Sequence, residues 1–417
     1  MLNEGFRESN PAPALSLSPP LWRTLLARTE WGLLAAIGLV VLVTAVVDTQ
    51  HTYFTRPGDS AVNVLRQTAL LGIFALGSAV VIIAGGIDLS SGSVIAFSGT
   101  VCAILLLQLA PDEMRAGQPI GIAVLGAAIA ATLVVGFLIG SLHTWLITVI
   151  GLPPFVATLA TLVGLRSLGR GLVAYFSKGS SQIPIFDERF RFLATSVWIP
   201  VALFLALAVL VWVLMARTVT GRHLYALGGN ENAARLSGIR TDGLKWLAYS
   251  LSAVLSSVAG ILYVCEVATA DPEKIGKGYE LNAIAAAVVG GCSLLGGVGT
   301  IPGTMLGVLF LRVVIDAVAK LIKRSADLYE GLIVGVVVVV AVAFTHVRQA
   351  GGRGRCFLGG PLGLVTILNL ALLAGALAAL FGQDYGIDGR AVGGVVLVAL
   401  IGARLFEGRS RTVSKRS

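Results

Sequence analysis

The residues whose types suit them to chemistry are few, and most lie inside apolar sequence. Asp88 stands in the stretch AGGIDLSSGSVIAFSG, from Ala84 to Gly99, with Gly85 and Gly86 before it and Ser90 and Ser91 after it. An acid between two apolar runs is costly to bury in lipid, so it faces protein or water. Two readings stand side by side. Asp88 and Ser90 cap the following helix by accepting backbone N–H bonds, or they line a polar path through an interrupted helix. A second interruption lies in ELNAIAAAVVGGCSLLGGVGTIPG, from Glu280 to Gly303, where Asn282 precedes the pair Gly290 and Gly291. GGIDL and GGCSL read as a degenerate internal repeat, a common device where transporter helices break at the midplane. The candidate pathway set is therefore Gly85, Gly86, Asp88, Ser90, Asn282, Gly290 and Gly291.

Other polar groups in apolar runs have plainer roles. Arg166 and Arg170 are four apart and share a helix face, which suits snorkelling. Arg312 and Asp316 have the same spacing and suit an intrahelical pair. His51, His143, His223 and His346 are scattered, with no metal-ligand spacing. Cys102, Cys265, Cys292 and Cys356 form no CxxC pair and read as small apolar residues. A membrane enzyme needs convergent His, Asp, Glu or Cys side chains, and the sequence offers no such cluster. No GxxxxGK[ST] occurs, so there is no P-loop to cradle ATP phosphates. The chain reads as a non-enzyme.

The elements that hold these residues are helices in lipid. Of 417 residues, 56% are hydrophobic and 13% charged, against about 25% charged in ordinary soluble domains. The 51 glycines suit close helix packing in a membrane. Apolar runs fall near 31–47, 67–84, 91–110, 119–143, 154–174, 196–215, 244–265, 281–298, 302–322, 328–346, 361–381 and 391–406. A span needs about 20 such residues and must satisfy its own backbone, which leaves helices. The expected fold is all-α, a polytopic membrane helical bundle of about 10 core transmembrane helices plus a C-terminal two-helix extension. The glycine-rich region 281–322 is expected to hold two short or broken helices. The divisions are a disordered tail at 1–28, a transmembrane domain at 29–347 and an extension at 348–417.

The net charge of +9 collects between apolar runs, so it reads as topology and not as nucleic-acid binding. The loop 216–244 and its edge carry Arg217, Arg222, Arg235, Arg240 and Lys245 against Glu231 and Asp242, which marks it as cytoplasmic. Counting outward puts both termini in the cytoplasm. Lys320, Lys323 and Arg324 then fall on the outer side, against the rule. Within the loop, Asn230 is an N-cap, Glu231 occupies the first turn where the dipole favours an acid, and Gly238 suits C′. Leu236 and Ile239 give this short helix an apolar edge, as a docking helix needs.

ALGGNENAARLSGI in that loop resembles the coupling loop of ABC-importer permeases of the ribose, xylose and simple-sugar class. AGGIDLSSGSVIAFSG and ELNAIAAAVVGGCSLLGGVGTIPG resemble that family's segments in wording and order, over about residues 60 to 346. Ser91 stands where the family usually has a small aliphatic residue. The resemblance implies a bacterial inner-membrane, multi-pass permease that pairs with a second permease subunit, itself or a paralogue. It implies a cytoplasmic ABC ATPase and a periplasmic or extracellular sugar-binding protein as partners. It implies no cofactor in this chain, since ATP is bound by the partner. By matching position, Gly228, Gly229, Asn230, Glu231, Ala233, Ala234, Arg235 and Gly238 are the ATPase-contacting set. The alternative is an ion-gradient-driven secondary transporter with Asp88 or Asp316 as its coupling acid. The extension after residue 347 has no counterpart in many members of the family.

Overall fold

The computed structural model describes residues 29–48, 52–321, 331–332, 334–336, 339, 360–381 and 388–414. It is helical almost throughout, and eight helices are long and apolar enough to cross a membrane among the described residues. The chain forms two compact units, with the eight helices in the first.

In the first unit the order is α1 (Thr29–Val47), α2 (Thr52–Thr55), α3 (Pro57–Ile83), α4 (Ser91–Leu109), α5 (Pro111–Ala116), α6 (Ile122–Thr148) and α7 (Pro154–Phe176). After β1 (Ile183–Pro184) come α8 (Glu188–Thr195), α9 (Trp198–Arg217), α10 (Val219–Gly229), α11 (Glu231–Leu236) and α12 (Thr241–Val267). The unit continues with β2 (Thr269–Ala270), α13 (Tyr279–Val289) and α14 (Ile301–Leu321). Prolines open α3 and α7, where the missing N–H is not needed.

α3, α4 and α12 form the buried centre, and α12 packs on α3, α4 and α6. α1, α6, α7 and α9 are mostly exposed, as lipid-facing helices are. Small residues allow the central contacts. A Cβ on Gly140 would come within 2.6 Å of the Tyr249 carbonyl oxygen, and one on Gly99 within 2.9 Å of the Gly260 carbonyl oxygen. Close backbone approach of this kind is how membrane helices associate without a hydrophobic drive between them.

The runs and the helices differ in instructive places. α3 begins ten residues before its apolar run, where Pro57 opens it and Arg66 has a partner. Glu266 near the end of α12 takes Arg66 at 3.4 Å and accepts from Gln67 at 3.0 Å. The run 281–298 is not a span. It is the 11-residue α13 followed by a glycine-rich loop over 290–300. Most of the run 328–346 lies outside the described residues, as do the tail 1–28, Lys323, Arg324 and Cys356. Asp316 accepts from Tyr53 at 2.7 Å and pairs with Lys320 on its own helix, so that lysine is locally neutralised.

At the end of the unit away from α10 and α11, two segments join in a small cap that the apolar pattern does not announce. β1 and β2 pair antiparallel, Ile183 with Ala270 and Pro184 with Thr269. Buried Asp187 caps α8 through the Phe190 amide at 2.6 Å and also accepts the Ile120 amide at 2.7 Å.

In the second unit α15 (Gly360–Phe381) packs along α16 (Gly389–Ser414). The contact runs over Gly375, Gly389 and Gly393, where a Cβ on Gly375 would come within 3.0 Å of the Gly389 carbonyl oxygen.

Candidate functional site

The short helix in the basic loop is built as its residues predict. The Asn230 side chain accepts the Ala233 amide at 3.0 Å, which caps α11. Gly238 takes the left-handed C′ position at φ 81°, with its amide on the Arg235 carbonyl and the Ile239 amide on that of Ala234. Glu231 bridges Arg235 at 3.2 Å and Lys245, on α12, at 2.7 Å. Arg235 also donates to Thr241 at 3.1 Å. These bonds fix α11 on the root of α12. Ala234 is buried by that packing, whereas Leu236 is 90% exposed and Asn230 and Ala233 are exposed. Ile239 packs inward against the core, so Leu236 alone of the two expected apolar residues faces outward.

The two glycine-paired interruptions share one stop signal. α3 ends in a Schellman motif, with Gly85 N–H on Ile82 O and Gly86 N–H on Val81 O, both 2.9 Å. α13 ends the same way, with Gly291 N–H on Val288 O and Cys292 N–H on Ala287 O, both 2.9 Å. The left-handed residues are Gly85 at φ 83° and Gly291 at φ 96°. The two caps therefore superpose one residue out of the sequence register that aligns GGIDL with GGCSL. After the stop the paths diverge: residues 87–90 form a short non-helical segment that turns at Asp88–Ser90 into α4, while 292–300 form an irregular loop before α14.

Asp88 is buried in the first interruption. Its Oδ1 accepts the Ser90 amide at 2.9 Å and the Ser90 hydroxyl at 2.6 Å, and its Oδ2 accepts the Ser252 hydroxyl at 2.8 Å. The carboxylate thus forms a turn over the N-terminus of α4 and ties it to α12. Thr158 on α7 closes the other side: its hydroxyl accepts the Leu89 amide at 3.2 Å, and its single hydrogen has Pro154 O at 3.0 Å and Ile87 O at 3.3 Å within reach. Ser90 and Ser91 are fully buried, and Asn282 is buried on α13. Next to this cluster His143 bonds Thr161 at 2.7 Å, and its ring meets Tyr249 edge to face at 6.2 Å. The Tyr249 hydroxyl would be hit by any Cβ at Gly86.

Both interruptions and the basic loop converge. Gly228, the penultimate residue of α10, lies against the end of α3. A Cβ there would collide with the Ile83 carbonyl oxygen, and would stand 2.6 Å from the Gly297 nitrogen and 3.0 Å from that of Gly85. Gly297 donates its amide to Ile83 O at 2.9 Å. Gly296, at φ 85°, would place a Cβ 2.6 Å from Gly228 O and 2.8 Å from Gly85 Cα. Tyr225 on α10 donates to Gly299 O at 2.9 Å. Burial pushes the Tyr225 phenol up from its ordinary value. Sequence reasoning placed Gly228 with the ATPase-contacting residues and Gly85 with the pathway, and the structure brings the two together. Gly296, Gly297 and Tyr225 carried no local signal of it.

Arg166 does not snorkel as its spacing suggests. Its Nη1 donates to the carbonyls of Pro272 at 2.9 Å, Glu273 at 3.3 Å and Ile275 at 3.3 Å, and so pins the 271–278 loop to α7. Arg170 is exposed and bonds Ser167 at 3.3 Å.

Residues 60–342 match the model of a family described as branched-chain amino acid transport system / permease component. The ribose import permease protein RbsC of Escherichia coli K12 is 35% identical over 325 residues, covering 75% of this chain and 93% of that protein. RbsC of Bacillus subtilis 168 is 34% identical over 319 residues, covering 75% and 92%. The autoinducer 2 import system permease protein LsrC of Photorhabdus luminescens is 31% identical over 327 residues, covering 77% and 90%. No solved structure matches the chain.

Proposed function

Because the chain belongs to the branched-chain amino acid transport system permease component family, we propose that it is the translocating subunit of an ATP-driven importer for a ribose-like monosaccharide. In this reading α10 and α11 lie on the cytoplasmic side of the inner membrane, both termini share that side, and α11 receives a separate ABC ATPase. A binding protein delivers the sugar at the end that carries β1, β2 and α8. A second permease subunit completes the pathway.

The observation that carries the reading is the construction of α11. A six-residue helix is too short to be stable alone. This one is capped, braced to α12 by Glu231 and stopped by Gly238, and it holds Leu236 out at 90% exposure. A loop that only connected α9 to α12 would need none of this. The ion-driven alternative is less well served. Asp316 is paired with Lys320, and all three contacts on Asp88 come from donors of its own fold.

The test is uptake in proteoliposomes. Sugar accumulation is expected only with the ATPase, ATP on its side and a loaded binding protein. Accumulation by this chain alone under an H⁺ or Na⁺ gradient would overturn the reading. Replacing Glu231 and Arg235 together with Ala is expected to weaken ATPase association at least about tenfold. Membrane insertion stays intact, since exposed ion pairs contribute little to stability.

A further inference from the structure

The contact of Gly228 with two other segments has a use beyond packing. α10 touches the stop of α3 through Gly228 and Gly85, and the 290–300 loop through Gly228, Gly229, Gly296 and Gly297. The 290–300 loop is itself bonded to α3 by Gly297 N–H on Ile83 O and to α10 by Tyr225 on Gly299 O. Three backbones meet with no side chain between them. Such a contact has no compressible layer, so displacement of one member is passed to the others. Each loop in turn continues into membrane helices: 84–90 into α4, and 290–300 between α13 and α14. Beside the tie opens a cleft of about 490 Å³, lined by Trp212, Met215, Tyr225 and Thr300 among others.

We propose that Gly228, Gly297 and Tyr225 are positioning residues for transport, which join the docking arm α10–α11 to both helix interruptions so that the three move as one body. The proposal rests on the ATPase-docking reading of α11. A push on α11 then reaches Asp88 through the 84–90 segment and α13 through the 290–300 loop, without passing along a spanning helix. The glycines are required because any Cβ at Gly228 or Gly297 would hold these backbones apart. Gly297 is also left-handed, at φ 71°.

Hydrogen exchange on the assembled importer tests this, comparing the nucleotide-free and ATP-loaded states. Protection is expected to change together in peptides covering 84–90, 219–236 and 290–300. A change in 219–236 with none in the two loops, or no change in any, overturns the proposal. Two variants sharpen it. Y225F is expected to reduce the response of 290–300 while that of 219–236 persists. G297A is expected to retain ATPase association and basal hydrolysis while uptake, and stimulation of hydrolysis by loaded binding protein, fall about tenfold, within the usual span of coupling energies. A loop with only a structural role would lower basal and stimulated hydrolysis alike, and that result counts against coupling. If G297A does not fold, Y225F decides: stimulation and loop response both at the wild-type level overturn the proposal. If the wild-type chain binds no ATPase at all, the docking reading fails instead, and co-purification reports this separately.

Discussion

The Asp88 carboxylate accepts three hydrogen bonds, two from Ser90 and one from Ser252 across the α4–α12 contact. Removing such an acceptor strands buried donors, which costs about 1–3 kcal/mol for each group left unpaired. D88A is therefore expected to lower the melting temperature of the purified protein clearly. D88N keeps an oxygen for Ser90 and presents an amide to Ser252, whose hydroxyl can accept as well as donate. Its melting temperature should stay near that of the wild type, and ATP-driven uptake should persist. A coupling acid behaves differently: D88N would then abolish uptake with the fold intact. Thermal unfolding and uptake measured on the same two variants separate the roles. Leu236 presents the opposite situation, an apolar side chain at 90% exposure. Surface substitutions are usually within about 0.5 kcal/mol of neutral. L236D should leave the melting point unchanged while ATPase association, read by co-purification, falls at least about tenfold, as for an interface anchor. Unchanged association would remove Leu236 from the docking surface.

At the scale of elements, Arg166 is the clearest case of a charge pinning a turn-rich segment to a neighbouring helix. Its guanidinium reaches three carbonyls of the 271–278 loop, which lies between β2 and α13. R166M keeps much of the length and removes the donors. Amides of 271–278 are then expected to exchange about tenfold faster, the equivalent of one modest net hydrogen bond, with the interior of α12 unaffected. Equal rates in both proteins would show that the loop is held by its own turn bonds and packing, without Arg166. Such long-range ties mark the limit of what the sequence makes legible. Apolar runs located the long helices, and Asn230 and Gly238 located α11 with both its caps, because these signals are local. The paired glycines located both helix stops. They did not reveal that Gly85, Gly228 and Gly297 meet, since the three are far apart in the chain and glycine has no periodicity to read. The polar start of α3 was missed for a related reason. Arg66, just before the run, looks like a loop residue until Glu266, at the far end of another helix, supplies its partner. The cap made by β1, β2 and α8 is held by Asp187 and buries Ile183, Ile185 and Phe190, but its pieces are too short to form an apolar run.

At the scale of the whole molecule, the chain divides where the family match ends. The matched region is 60–342, and the first compact unit holds the eight long apolar helices found among the described residues. Relatives such as RbsC of Escherichia coli are covered over 93% of their length by 75% of this chain. The family's helices are thus present without the extension. The second unit has its own packing: α15 and α16 close on each other through Gly375, Gly389 and Gly393, while Leu364, Leu368, Leu372, Val395 and Val398 remain exposed. A helical pair with an apolar exterior and an internal small-residue seam is what lipid stabilises without further partners. Transport is therefore expected to reside in the first unit. A chain ending at residue 347 is expected to insert, to bind the ATPase, and to accumulate sugar at a rate within about twofold of the full chain, a difference of less than 1 kcal/mol in barrier height. The measurement is uptake per inserted molecule, with insertion quantified separately, so that lower expression of the truncated chain is not read as lower activity. A normal insertion level with uptake lost would assign the extension a part in the transport cycle.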